Sequence, residues 1–204
     1  IEFILHDSYV AGIVLSGSEI KSIRNSKASI RESFCKFTNK ELYIINMSIE
    51  KNIVAIGGGG FGRTVKDLRI EEYILSLSNK GKPNICFIPT ATGDNDSYKV
   101  NYYDVFTKFN CNPTHIDFFK RTIDLSSHIP KQDIIFVGGG NTKSMLAVWK
   151  DWGLDELLRN AYESGTVMSG VSAGAICWFE KGITDSWAYD LAVMDCLGFV
   201  NGIC

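Results

Sequence analysis

The sequence has no run of apolar residues approaching the roughly 20 that a bilayer-crossing helix needs, and its first residues show no charged-then-apolar leader pattern. Cytoplasm is the expected location, with no membrane partner. Cys-x-x-Cys pairs, His-x-x-x-His pairs and dense carboxylate groups are all missing, so nothing marks a metal centre, and no metal or other cofactor is expected. Asp94 and Asp96 read more simply as turn residues. The six cysteines (Cys35, Cys86, Cys111, Cys177, Cys196, Cys204) are scattered, several within apolar runs such as Ile85-Cys86-Phe87. They are expected to be reduced and mostly buried. Charge of one sign is also missing. A formal net charge of −2 gives no global case for nucleic acid or an anionic membrane. Histidine is scarce, with His6, His115 and His128 only.

What is present is an ordinary core-forming composition: 204 residues, 45% hydrophobic and 22% charged. The chain starts at Ile1 rather than Met and stops abruptly at Cys204, so a piece of a longer reading frame is expected.

Two parts differ in rhythm. Residues 1–50 alternate apolar and polar residues in short runs such as Ala11–Leu15 and Glu41–Ile45, which predicts strands of a small antiparallel sheet. The spacing of Ile20 and Ile23 within Ser18–Arg24 predicts a short helix. From Ile53 onward, compact apolar runs alternate with amphipathic stretches, the pattern of βαβ units around a mostly parallel sheet. The strands are expected at Ile53–Ile56, Ile85–Ile88, His115–Phe118, Ile134–Val137 and Thr166–Met168. Helices are expected at about Val65–Ser78, Ser97–Phe109, Thr142–Asp151, Leu154–Glu163 and Ala173–Phe179. The short, almost unbroken strand runs imply a sheet covered on both faces.

In such sheets the working groups sit on loops at the carboxyl ends of strands. Gly170-Val171-Ser172-Ala173-Gly174 fits G-x-S-x-G between a strand and a helical run, the context of a nucleophile elbow. A sharp turn there strains the serine backbone, and small flanking residues give it clearance. The turn points the Ser172 hydroxyl to a helix start, where the Ala173 N–H can stabilise an oxyanion. The plainer alternative makes Ser172 a helix cap. Gly138-Gly139-Gly140-Asn141-Thr142 follows another strand. Its glycines let backbone N–H groups approach a substrate, whereas Asn141 or Thr142 as an ordinary helix cap is the competing reading.

Val137–Thr142 and Ser169–Ala175, preceded by Ile53–Gly60 and Phe87-Ile88-Pro89-Thr90-Ala91, together resemble the peptidase E family over residues 51–204. That resemblance implies a three-layer α/β sandwich of the class I glutamine amidotransferase-like type. It also implies a serine peptidase, in the branch of aspartyl dipeptidases and cyanophycin hydrolases. Ser172 would attack the scissile carbonyl, Gly140 and Ala173 would donate to the oxyanion, and Asn141 would lie beside a short peptide substrate. An N-terminal aspartate in that substrate would need a cation, for which Arg63, Lys143 and Arg159 are candidates.

A serine needs a base, commonly histidine. In this family the histidine follows the nucleophile in a Pro-His-Tyr-like segment, just beyond a stretch resembling Leu197–Gly202. None of the three histidines here follows Ser172. The chain as given is therefore expected to lack its catalytic histidine, to be C-terminally incomplete and to be inactive or nearly so.

Residues 1–50 carry a second resemblance. Ala11–Arg24, Arg31–Cys35 and Glu41–Met47 are similar to the start of SmpB, which binds transfer-messenger RNA. They cover about the first third of that family's oligonucleotide-binding barrel. This implies a partial β segment with an alternative, RNA-binding role, in which Lys21, Arg24, Lys27 and Arg31 could meet phosphates. A charge cluster of this kind is more often a solvated face. The join is placed at residues 50–51. Finally, Gly57–Gly62 satisfies G-x-G-x-x-G, but the dinucleotide fingerprint needs an acidic residue at the end of the next strand, and Phe87-Ile88-Pro89-Thr90 offers none.

Overall fold

The computed structural model describes residues 23, 28–29, 33–38, 41–45, 48–58, 61, 67–187 and 189–204, with backbone only for 34, 37–38, 41–45 and 48–49. Early in the chain, β1 (Ala28–Ser29) pairs antiparallel with β4 (Ser48–Ile49), and β2 (Phe34–Thr38) with β3 (Glu41–Ile45). The antiparallel pattern anticipated for Glu41–Ile45 is present. The strand expected at Ala11–Leu15 lies outside the described residues, as does the Ser18–Arg24 helix apart from helical Ile23.

Five parallel strands form the central sheet: β5 (Ile53–Ile56), β6 (Asn84–Ile88), β7 (Asn112–His115), β8 (Ile134–Val137) and β9 (Val167–Val171), in the order β5-β9-β8-β6-β7. All residues of β8 and β9 are buried, as strands covered on both faces must be. Alternate side chains divide between two cores. Ile85, Phe87, Ile134, Phe136 and Val167 face one cluster, shared with Ile74 of α1 (Arg69–Ser76) and with Tyr102, Val105 and Phe106 of α2 (Asp96–Phe106). Cys86, Ile88, Ile135, Val137 and Met168 face the other. That second core is completed by α3 (Leu125–His128), α4 (Thr142–Asp151) and α5 (Leu154–Glu163), which contribute Leu125, Met145, Trp149, Leu154 and Leu158. The result is the three-layer α/β sandwich with a mostly parallel sheet.

Several boundaries differ from those anticipated: β9 runs Val167–Val171 instead of Thr166–Met168 and α2 stops at Phe106 instead of Phe109, and two further differences change the path of the chain. The edge strand β7 runs Asn112–His115 instead of His115–Phe118. Pro113 has no N–H to give, which an edge position tolerates. After Ile116 N–H donates to the Phe87 carbonyl (3.0 Å), the Asp94 carboxylate accepts from Phe118 and Phe119 N–H and draws the chain off the sheet. Ile116 and Phe118 are buried in a loop, so their apolar character imitates a strand. The helix expected over Ala173–Phe179 is only the short α6 (Ala173–Ile176). The carbonyls of Cys177 and Trp178 accept from Leu197, Phe199 and Val200 instead of continuing the helix. The chain then enters a second sheet of β10 (Phe179–Thr184), β11 (Ala192–Asp195) and β12 (Val200–Ile203), ordered β11-β10-β12.

Cys86, Cys111 and Cys177 are buried free thiols as expected, but Cys35 and Cys204 are exposed and Cys196 is half-buried. Burial pushes the Cys86 thiol up to about 12, which keeps it unreactive. Among the described residues, no helix is long and apolar enough to cross a membrane, and no group of three His, Cys, Asp or Glu side chains could hold a metal ion.

Candidate active site

Ser172 follows β9, which lies between β5 and β8. Its N–H donates to the Ile56 carbonyl (2.9 Å), fixing the turn to the neighbouring strand. The backbone stands at φ 54°, ψ −115°, a conformation that an L-residue adopts only under constraint. The hydroxyl makes no capping hydrogen bond, and the residue is exposed. A plain helix cap would have non-strained backbone and an engaged oxygen, and Ser172 has neither.

The flanking glycines explain how the turn closes. A methyl group on Gly170 would strike the Gly174 carbonyl, 2.6 Å from its carbon. One on Gly174 would lie 2.6 Å from the Val137 carbonyl carbon at the end of β8. The three backbones are thus stacked at the minimum separation, and only glycine fits.

The Gly138–Asn141 loop, at the carboxyl end of β8, borders the serine. A methyl group on Gly139 would sit 3.1 Å from the Ser172 Cβ and 3.7 Å from its Oγ. Gly140 is at φ 137°, open only to glycine, and is pressed against the Ala91 carbonyl. Gly138 N–H donates to Ile88 (3.1 Å) and Asn141 N–H to Ala91 (2.7 Å). The N–H groups of Gly139, Gly140 and Ala173 donate to no described acceptor. Gly139 was not singled out from the sequence, and its closeness to Ser172 is visible only once β8 and β9 are adjacent.

Asn141 has both ends of its side chain engaged. Its Oδ1 accepts from Ser144 N–H (2.9 Å), capping α4, and its Nδ2 donates to the Ser186 carbonyl (2.9 Å). The first turn of α4 holds Lys143, whose ammonium lies over the Trp187 ring at 5.4 Å. Of the other cationic candidates, Arg159 is committed elsewhere, donating to the Leu197 carbonyl and lying 4.7 Å from the Phe199 ring centroid. Arg63 lies outside the described residues.

Neither described histidine joins Ser172. His115 ends β7, with Nδ1 2.7 Å from the Tyr103 hydroxyl and Nε2 3.4 Å from the Asp117 carboxylate. His128 bonds with Thr114 and Gln132, and burial holds its imidazole below the usual value. β7 is three strands from β9, about 14 Å at ordinary strand spacing. His6 lies outside the described residues.

A further carboxyl went unnoticed in the sequence. Glu71 is fully buried on α1, and its Oε1 accepts from the N–H of Phe61 (2.9 Å), the residue that ends the glycine loop after β5. The Phe61 ring plugs an aromatic cluster, 5.0 Å from Phe136 and 5.5 Å from Phe87 between centroids. Desolvation raises the Glu71 carboxyl above its ordinary value.

Residues 53–204 match the model of peptidase family S51, and residues 1–56 match that of the SmpB protein. The uncharacterized peptidase YgaJ of Bacillus subtilis (strain 168) is 48% identical over 153 residues, 74% of this chain and 66% of that protein. An SsrA-binding protein of Christiangramia forsetii is 60% identical over 45 residues, 22% of this chain and 29% of that protein. The chain thus spans just under two thirds of the first relative and under a third of the second. Among solved structures, a putative peptidase E protein from Listeria monocytogenes EGD-e has TM-score 0.53 and 21% identity, covering 72% of this chain and 73% of that one. A peptidase from an acI-B1 actinobacterium has TM-score 0.59 and 16% identity, covering 73% and 65%. At these identities the two structures speak for the fold.

Proposed function

The chain belongs to peptidase family S51 through residues 53–204, and on that premise we propose that Ser172 is the nucleophile of a serine peptidase that cleaves short peptides through an acyl-enzyme. The observation that carries the reading is the exposed, uncapped Ser172 in strained backbone beside N–H groups that have no acceptor among the described residues. In the first step, Ser172 Oγ attacks the scissile carbonyl as a base takes its proton. Gly140 and Ala173 donate N–H groups to the resulting oxyanion, and Gly139 adds a third donor beside them. The intermediate then expels the amine, which accepts the proton, and water hydrolyses the ester to free Ser172. Asn141 would lie at the substrate's edge, its side chain tied to the Ser186 carbonyl.

The base comes from outside the described residues, because His115 lies on the far strand β7 and His128, at the end of α3, is tied to that strand through Thr114. Without it, oxyanion stabilisation and binding alone leave hydrolysis at a small residual rate. N-terminal aspartate is the specificity to test first, and Lys143, in the first turn of α4 beside the glycine loop, is the cation that could meet its carboxylate. A panel of dipeptides tests the assignment. Hydrolysis abolished in Ser172→Ala, and greatest for Asp-X substrates, supports it; hydrolysis that survives Ser172→Ala sinks it.

The SmpB match over residues 1–56 favours a second reading for that segment alone: contact with RNA. The cations that would make it, Lys21, Arg24, Lys27 and Arg31, lie outside the described residues. Retention on RNA that weakens steeply with salt supports this reading, and salt-independent behaviour refutes it. We place the join between the two parts at residues 50–51. In support, Lys51 pairs with Glu163 at the end of α5, and the Asn52 carbonyl, just before β5, accepts from Met168 N–H of β9 (3.0 Å).

A further inference from the structure

We propose that Ser186 is a positioning residue that holds the glycine loop in register with Ser172; the inference rests on the reading of Ser172 as nucleophile. The Gly138–Gly140 backbone has little intrinsic stiffness, since three successive glycines restrict few dihedrals. Oxyanion donors nevertheless have to be fixed before the reaction if they are to act without reorganisation. Something outside the loop must therefore hold it.

Ser186 does so through two hydrogen bonds to consecutive residues. Its Oγ accepts from Thr142 N–H (3.1 Å), and its carbonyl accepts from Asn141 Nδ2 (2.9 Å). Ser186 is itself braced, its N–H donating to Thr184 Oγ1 (3.2 Å) at the buried end of β10. The neighbouring Trp187 ring lies under the Lys143 ammonium, a second tether between the same two segments.

The path of the chain gives this clamp its meaning. Ser172 opens α6, α6 leads directly into β10, and β10 ends at Thr184, two residues before Ser186. The element that carries the nucleophile thus returns to grip the loop that carries the oxyanion donors. The loop is held from the other side by Ala91, through Asn141 N–H (2.7 Å). Ser186 touches neither Ser172 nor the donors, so its effect has to pass through Asn141 and Thr142.

The test is the rate of phosphonylation of the protein by a serine-directed fluorophosphonate, separated into the maximal rate kinact and the half-saturating concentration KI. Displacing catalytic geometry by about 1 Å can cost about a hundredfold. Ser186→Ala is expected to lower kinact by about 10-fold to 100-fold with KI within about twofold, and Ser186→Thr, which keeps the hydroxyl, to restore most of it. Ser186→Ala with unchanged kinact, or with a change in KI alone, overturns the proposal while leaving Ser172 as nucleophile. Equal labelling of the wild type and Ser172→Ala overturns both.

Discussion

Gly139 packs against Ser172 so closely that a single added methyl group would lie 3.1 Å from the serine Cβ and 3.2 Å from the Val171 carbonyl oxygen. The two residues come from different loops, at the ends of the adjacent strands β8 and β9. Gly139→Ala therefore tests their contact. The loop or the serine has to yield by a few tenths of an ångström, and phosphonylation of Ser172 is expected to slow by about 10-fold or more, with little loss of stability. Labelling kinetics beside a thermal melt measure both.

Gly174→Ala has a different outcome, because its methyl group would meet backbone on the neighbouring strand, 2.6 Å from the Val137 carbonyl carbon. Backbone cannot rotate away as a side chain can. A destabilisation of about 3 kcal/mol or more is expected, equivalent to roughly 6–12 °C in Tm for a chain of this size. Gly81→Ala, with nothing within 4 Å, serves as the control and is expected to change stability by less than about 0.5 kcal/mol.

Strain at Ser172 predicts a trade between stability and activity. At φ 54°, ψ −115° a glycine is at ease where serine is not. Ser172→Gly is expected to abolish covalent labelling and to stabilise the protein by about 1 kcal/mol, the strain relieved being partly offset by the freedom of glycine in the unfolded chain. Ser172→Ala removes the hydroxyl and keeps the strain, so it is expected to lose labelling without that gain. Chemical denaturation of the three proteins distinguishes these outcomes.

A base supplied in solution is expected to substitute in part for the one that the described residues lack. Added imidazole should raise the rate at which Ser172 reacts with an activated ester, in proportion to its unprotonated fraction, and should have no such effect on Ser172→Ala. A rate indifferent to imidazole would place a working base already beside Ser172.

Glu71 makes a prediction about pH. Its folded carboxyl holds a proton more firmly than the unfolded value of 4.5. The folded state therefore binds more protons than the unfolded one in the window above 4.5, and stability falls as pH rises through it. Glu71→Gln keeps an oxygen to accept the Phe61 N–H but has no charge to bury. The variant is expected to be the more stable at neutral pH, with the difference closing as pH falls towards 4.5. Urea melts across that range measure it.

Much of the sheet was legible because β5, β6 and β8 are short, almost unbroken apolar runs, whereas β9 was read only to Met168, since Ser169 and Gly170 interrupt its apolar run; G-x-S-x-G still marked the turn after it. The elbow's glycines could be read as clearance, and the structure identifies what they clear: Gly170 against Gly174, and Gly174 against Val137. Other features were hidden for physical reasons. Ile116 and Phe118 are apolar through burial in a loop, so β7 was misplaced. The end of α6 depends on carbonyls captured by Leu197, Phe199 and Val200, some 20 residues later in the sequence, and no local signal announces it. The hold of Ser186 on Asn141 spans 45 residues and needs the three-dimensional path of β10. Glu71 looks like an ordinary exposed helix glutamate until α1 is seen to turn it inward beneath Phe61.

The most direct test of Ser172 as nucleophile is the site of covalent capture: treat the protein with a serine-directed fluorophosphonate, then locate the adduct by intact mass and peptide mapping. One adduct is expected, on Ser172, formed slowly without an added base and absent from Ser172→Ala. No adduct after prolonged exposure, or one that persists in Ser172→Ala, would contradict it.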